Sequence, residues 1–324
     1  MQRELVSQIA ADRASGVAGK IRLIYFKLSL TAIFWGGTFI AGRIVAQHVD
    51  AYSAAFWRFA IAVGVLFLVV WKVEGRLPAL NKRQFVAVFL LGLSGIFTYN
   101  VLFFKGLKLI QASRASLIVA INPIFITLFS AYFFKEKLTF LKSVGIVLSV
   151  LGAVEVISRG QIEQLVRGSF GVGEWFILGC VFSWVAYSLI GKALMKNLSP
   201  LVAVAYSSAI GVATLFVPAA REGVFYTAGN LSAVDWLGLG YLGIFGTVLG
   251  FFWYYEGVST IGPARASQFI NLVPVSAILL AFLLLGEAIT LSLAVGALFV
   301  TGGIYLTSRN SNQENKTFKS RNLT

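Results

Sequence analysis

The stretch Arg265–Pro274, RASQFINLVP, repeats with variation the stretch Arg114–Pro123, RASLIVAINP, which lies 151 residues earlier. Both sit in strongly apolar surroundings, and a recurrence at fixed spacing dictates architecture ahead of any other feature. Extended outward without a gap, the alignment runs from Leu91–Gly152 against Leu242–Gly303, with 15 of 62 positions identical. The identities include Gly92/Gly243, Gly95/Gly246, Gly106/Gly257, Arg114/Arg265, Pro123/Pro274, Glu136/Glu287, Thr139/Thr290, Gly145/Gly296 and Gly152/Gly303. Apolar bias produces matched leucines and valines; it does not produce matched Gly, Pro, Arg and Glu. An earlier set matches at an offset of 149: Trp35/Trp184, Gly42/Gly191 and Arg43/Lys192. The chain holds two copies of one unit.

Composition names the solvent of that unit. Apolar residues make up 58% and charged residues 12% of the 324, against about 25% charged in soluble domains, and mean hydropathy is +0.82. Too few polar groups exist to cover a water-facing surface. A helix crosses a bilayer in roughly 20 apolar residues, and that template fits ten segments: 23–45, 51–71, 84–104, 112–134 and 140–157, then 173–194, 199–217, 233–255, 263–285 and 290–307. We call these α1 to α10. The expected fold class is an all-α membrane protein of ten transmembrane helices, arranged as two inverted five-helix repeats around a central cavity.

The formal charge of +14 invites a nucleic-acid reading, which the charge distribution answers. With a cytoplasmic N-terminus, 19 of the 27 Lys and Arg fall on the cytoplasmic side, seven on the other, and Arg58 inside α2. That asymmetry is the positive-inside rule. It predicts a multi-pass membrane protein with both termini cytoplasmic and no nucleic-acid partner. The expected divisions are a cytoplasmic tail at 1–22, repeats at 23–157 and 173–307 with a connection at 158–172, and a cytoplasmic tail at 308–324. The first twenty residues have no apolar core or cleavage site and predict no signal peptide. The C-terminal SNQENKTFKSRNLT reads as disordered, and its NKT and NLT triplets would be unmodified in the cytoplasm. One cysteine, Cys180, and one histidine, His48, leave nothing from which to build a disulfide or a metal centre, and no cofactor is expected.

Five helices per unit is an odd number, so the second copy enters the membrane from the opposite side. Inverted repeats of this kind characterise secondary transporters, with the substrate held near the midplane where the repeats meet. Trp35-Gly36 in α1, Arg58-Phe59 in α2, and a closing pattern of Pro123, Glu136, Thr139, Gly145, Gly152, repeated as Pro274, Glu287, Thr290, Gly296, Gly303, resemble the drug/metabolite transporter superfamily. The chain is most similar to its EamA-type exporters of bacterial inner membranes, over about residues 23–307. The resemblance implies a cavity lined by α1, α3, α4, α6, α8 and α9 and transport of amino acids or similar metabolites. One departure is Asp50-Ala51 opening α2, where the family often has Pro; Pro200 opens α7.

Within that frame the candidate substrate-binding residues follow from polarity in lipid. Trp35, Thr38, Phe39 and Gly42 share one face of α1, and Trp184, Tyr187, Ser188 and Gly191 occupy the matched face of α6. Such faces suit an aromatic-walled pocket or tight helix packing. Tyr99, Asn100, Asn122, Gln268 and Asn271 are polar groups placed in lipid-depth segments, where unsatisfied groups are costly and mark sites. Leu117 and Ala120 are the repeat mates of Gln268 and Asn271, so the polar lining is asymmetric between halves. Pro123 and Pro274 are expected to bend α4 and α9 as hinges, and Gly92, Gly95, Gly243 and Gly246 to let α3 and α8 approach neighbours closely and slide. Glu136 and Glu287 read as helix-end groups, with Thr139 and Thr290 as N-caps.

Arg58 and Lys105, with Arg43, Lys108 and Arg114, are candidate contacts for an anionic substrate; the alternative is interfacial snorkelling. Arg58 is the exception to that alternative: it lies about seven residues into α2 and needs a partner there, and it has a counterpart in the family that the resemblance implies is structural. Glu256 is the candidate for proton coupling, because no carboxylate lies at the middle of a helix. The small-residue stripe Gly145/Gly152 and Gly296/Gly303 admits a homodimer through α5 and α10. The partners expected are the bilayer and a small metabolite. Rival readings are a multidrug exporter of hydrophobic cations, which suits a buried carboxylate that is lacking, a sugar-phosphate or nucleotide-sugar exchanger, and a non-transporting membrane scaffold. An enzyme would need a nucleophile or convergent acid–base pair, and none is legible.

Overall fold

A computed structural model describes residues 2–134, 140–158, 171–194, 198–261, 266, 269–270, 272–303 and 305–306. Among these the chain is helical without a strand. Backbone polar groups in hydrocarbon must be satisfied within the segment itself, which leaves the helix as the economical solution for an apolar chain. α1 is Gln2–His48, α2 Ala51–Glu74, α3 Lys82–Leu109, α5 Phe140–Ser158, α6 Val172–Leu194, α7 Pro200–Arg221, α9 Leu272–Leu285 and α10 Leu291–Gly303. α4 runs as two pieces, Ala112–Val119 and Asn122–Phe134. α8 runs from Ala233–Tyr241 through to Gly250–Ile261. Among the described residues, six of the ten are long and apolar enough to cross a membrane singly, and the other four are shorter apolar helices. Large apolar side chains such as Leu68, Trp71, Phe140, Leu283 and Leu298 face outward, as lipid as solvent requires. The protein is an all-α, multi-pass membrane protein.

The two halves exchange contacts in pairs, which is the signature of a two-fold relation. A side chain added at Gly92 would meet the Ser207 carbonyl and Ile210, and one added at Gly243 would meet the Arg58 carbonyl and Ile61. Ser207 and Ile210 are the offset-149 mates of Arg58 and Ile61. Likewise Gly95 receives the Tyr187 ring and Gly246 the methyl of its mate Thr38, while Gly106 packs on Ile177 and Gly257 on its mate Leu28. Where a residue touches its own mate, the pair lies on the axis. Trp35 meets Trp184 edge to face with centroids 6.1 Å apart, and the Ser149 hydroxyl donates to the Val300 carbonyl at 3.2 Å. The axis therefore passes between α1 and α6 and between α5 and α10. The glycine stripe of α5 and α10 is occupied by this contact inside the chain, with Gly152 against Gly296 and Val300.

Three expectations meet a different local geometry. α1 begins at Gln2, about 20 residues before its apolar segment at Ile21, so the polar start of the chain continues the helix. α4 is interrupted at Ala120–Ile121, and Pro123 is the second residue of its second piece; Pro274 is the third residue of Leu272–Leu285. Pro123 thus stands in the first turn of its piece, where the missing N–H has no intrahelical role, and does not bend a continuous helix from within; Asn271, just before the helix of Pro274, lies outside the described residues. α3 and α8 each contain a π-helical stretch, Gly92–Thr98 and Leu242–Leu249, in matching register of the repeat.

Helix ends are tied across the bundle by carboxylates. Glu222, just past α7, accepts from Ser53 N at 2.8 Å and Ser53 Oγ at 2.9 Å in the first turn of α2, while the N-cap Asp50 makes no side-chain cap bond. Glu287 accepts from Ala112 N at 2.9 Å, Ser113 N at 3.1 Å and Ser113 Oγ at 2.6 Å. It thereby caps α4 of the opposite half, which the expected helix-end role only partly describes. Thr290 accepts from Leu293 N at 3.2 Å as the α10 N-cap; Glu136 and Thr139 lie outside the described residues, as does the C-terminal tail. A carboxylate at a helix N-terminus satisfies orphan donors and the positive end of the dipole. Glu287→Ala should therefore lower stability by about 1–2 kcal/mol, read as a drop in the unfolding temperature of the purified protein; an unchanged transition would contradict the cap.

Candidate functional site

The axis pair Trp35 and Trp184 anchors an aromatic cluster at the meeting of the repeats. Trp35 also packs on Phe251 and Tyr254, with centroids 5.8 and 5.3 Å away. Trp184 packs on Tyr99 at 5.5 Å, Tyr187 at 5.3 Å and Phe251 at 5.7 Å. Trp35, Trp184 and Tyr99 are half-buried, whereas Tyr187 is 2% exposed. The contacts of Trp35 with Trp184 and Phe251 are edge to face, a favoured arrangement for aromatic pairs; the others are tilted.

The π-helical turns make this cluster position-specific. A π turn shifts the hydrogen-bond ladder by a residue and leaves carbonyls open to side chains, a device common at functional sites. The Gly246 carbonyl in α8 accepts Trp35 Nε1–H at 2.9 Å. The Gly95 and Ile96 carbonyls in α3 accept Asn100 Nδ2–H at 3.1 and 2.8 Å. Asn100 Oδ1 in turn accepts from Arg58 Nη1 at 2.9 Å, and Arg58 Nε donates to Thr247 Oγ1 at 3.3 Å. Thr247 donates back to the Leu242 carbonyl at 3.0 Å. Arg58 is 5% exposed, Asn100 1% and Thr247 0%, so a fully enclosed polar chain ties α2, α3 and α8 behind the aromatic cluster. Its mates are apolar or small: Ser207 stands for Arg58 and Phe251 for Asn100.

The other expected residues separate by geometry. Thr38 donates to the Trp35 carbonyl of its own helix and packs on Gly246, and Ser188 donates to the Trp184 carbonyl at 2.8 Å; both satisfy themselves locally. Asn122 is 5% exposed at the α4 break, and its Oδ1 finds no donor among the described residues. Gln268 and Asn271 lie outside the described residues. Lys105 sits over the Tyr52 ring at 5.1 Å and the Phe176 ring at 5.9 Å, a cation–π clamp between helices. Glu256 pairs with Lys27 at 2.8 Å. Sequence reasoning missed Thr247, Phe251 and Tyr254: the threonine carries no polarity signal on its own, and the two aromatics belong to the run FFWYY at 251–255, whose apolar character alone does not set it apart from lipid-facing residues.

At the end where α1 finishes, the remaining basic groups are mostly engaged. Arg114 pairs with Glu174 at 3.0 Å, both nearly fully enclosed, and Lys108 lies 3.6 Å from Asp50. His48 Nδ1 lies 3.0 Å from Asp235.

The profile of the EamA-like transporter family matches the chain twice, at residues 22–158 and 171–309. The uncharacterized transporter YyaM of Bacillus subtilis is 29% identical over 285 residues, covering 88% of this chain and 93% of that one. A probable terminal-alkyne amino-acid exporter of Streptantibioticus cattleyicolor is 26% identical over 293 residues, covering 90% and 95%. A solved structure described as the crystal structure of a protein aligns with a TM-score of 0.61 at 20% identity, over 88% of this chain and 96% of that one, which shows a shared fold.

Proposed function

Because this chain belongs to the EamA-like transporter family, we propose that it carries an amino acid or similar small amphipathic metabolite outward by alternating access between its two repeats. Family and relatives point to a transporter and not to an enzyme. In this reading the protein lies in the cell's inner membrane with both termini cytoplasmic, and the repeats at 23–157 and 173–307 are the moving halves. The observation that carries the substrate site is the contact of Trp35 with its own mate Trp184. A self-mated pair lies on the axis, and in an inverted repeat the axis lies at mid-depth, where both halves can reach the solute.

Trp35, Trp184 and Tyr99 are the walls of this site: flat, rigid surfaces that lose little entropy on contact and suit a substrate with apolar surface. By their polarity in the sequence we assign Asn122, Gln268 and Asn271 as its polar contacts, the last two lying outside the described residues. Arg58 and Asn100 position the cluster from behind and do not touch the solute. The amino-acid class is also that named for the Streptantibioticus cattleyicolor relative. Direct substitution tests the walls. Trp184→Ala and Trp35→Ala should each raise the half-saturation concentration for exchange by about tenfold or more, the size of effect expected for a buried aromatic anchor, while Trp184→Phe retains most activity. Unchanged half-saturation in folded Trp184→Ala protein would remove the aromatic pair from the site.

A further inference from the structure

A cavity of about 590 Å3, which shares no lining residue with the aromatic cluster, lies at the end of the bundle where α1 finishes. It is within the size range of small-molecule sites. Its polar lining is Arg43, Gln111, Arg114, Thr290 and Ser292, and no carboxylate among the described residues lines it. The charges there are unequal in their engagement. Arg114 is matched by Glu174 at 3.0 Å, and Glu287, close by in sequence, is taken up by the first turn of α4. Arg43 instead donates to the neutral Leu107 carbonyl and has no carboxylate partner among the described residues. The first turn of α10, Leu291 to Leu293, also lines the cavity. Leu293 N–H is capped by Thr290 Oγ1 at 3.2 Å, the Leu291 and Ser292 N–H groups ahead of it have no intrahelical acceptor, and the helix dipole adds positive potential there.

We propose that this cavity binds an oxyanion, a carboxylate or phosphate group, between the Arg43 guanidinium and the first turn of α10. Arg43 supplies the charge-assisted, fork-shaped donor that such groups favour, and Arg114 with Glu174 holds the floor. Two sources present that chemistry from the same side of the membrane: a soluble solute or the headgroup of an anionic lipid. The inference stands apart from the substrate assigned to the centre, because it is tested by binding without flux.

The test uses purified full-length protein in phosphatidylcholine nanodiscs. One arm titrates sodium acetate and inorganic phosphate against sodium chloride at constant ionic strength, and the other replaces part of the phosphatidylcholine by phosphatidylglycerol. The expected result is a saturable rise in unfolding temperature. Arg43→Gln should weaken the apparent affinity about tenfold or more, the loss of one charge-assisted hydrogen bond, and Arg43→Lys should retain most of it. Ala288→Glu puts a negative charge at the exposed rim without touching Arg43, should abolish the effect, and decides the matter if Arg43→Gln does not fold. Saturation by acetate or phosphate identifies a soluble solute; a response to phosphatidylglycerol alone identifies the lipid headgroup. Stabilisation that is absent in both arms, or that survives both Arg43→Gln and Ala288→Glu, overturns the proposal.

Discussion

Asn100→Ala should lower the stability of the folded protein by about 3 kcal/mol and cut solute flux with it. The reason lies in what it leaves behind. The Arg58 guanidinium is 5% exposed, lies inside the bundle, and has no carboxylate partner among the described residues. Asn100 Oδ1 is its nearest acceptor at 2.9 Å, with Thr247 a longer one at 3.3 Å. Hydrogen bonds to charged groups are worth about 1.5–3 kcal/mol, and a buried charge stripped of its acceptor bears the full desolvation penalty. The same substitution also leaves the Gly95 and Ile96 carbonyls of the π turn without the Asn100 amide that now serves them. Removing both partners is a milder change than removing one. The double variant Arg58→Met, Asn100→Ala should therefore be more stable than Asn100→Ala alone, as read by thermal unfolding in detergent. A double variant as unstable as the sum of the singles would show that the two side chains act independently.

Gly152→Leu should have an effect of similar size by a different mechanism. A Cβ at Gly152 would stand 2.7 Å from the Val300 nitrogen and 2.8 Å from the Gly296 carbonyl oxygen. Those are backbone atoms of α10, which cannot rotate aside as a side-chain tip does. The helices must separate along the axis that joins the repeats, at a cost of about 3 kcal/mol, the upper part of the range for overpacking. Gly64→Ala is the matched control: nothing lies within 4 Å of a Cβ there, and it should gain about 0.5–1 kcal/mol from helix propensity. Comparing the unfolding of the two variants checks the prediction. Equal tolerance at both glycines would deny that α5 and α10 meet backbone to backbone within one chain.

Much of the fold was legible because lipid imposes a simple rule. Ten apolar segments, and the matched Gly, Pro, Arg and Glu of the two halves, are enough to assign an inverted-repeat helical bundle. The pairing of Trp35 with Trp184 could be anticipated as two matched faces, though not as a contact on the axis. What escaped reading depends on hydrogen-bond register or distant partners. A π turn has no residue signature beyond its glycines, so the carbonyls that fix Trp35 and Asn100 were invisible. Arg58 was read as a group in need of a partner or an anion; Thr247, 189 residues away, became its neighbour only through packing. Glu287 was seen beside Thr290, while its actual partners Ala112 and Ser113 lie 175 and 174 residues distant. The α4 break was announced by Pro123, but as a bend in a continuous helix, because sequence alone does not show that the preceding piece ends at Val119.

The most direct test of the account is counterflow in proteoliposomes containing the purified protein, with a panel of labelled amino acids and with and without an imposed pH gradient. The account predicts saturable exchange of one or a few amino acids, with a half-saturation concentration about tenfold or more higher in Trp184→Ala protein; dependence on the gradient would implicate the carboxylate Glu256 beside Lys27. Folded protein that exchanges none of the panel would contradict the assignment of amino acids to the central site.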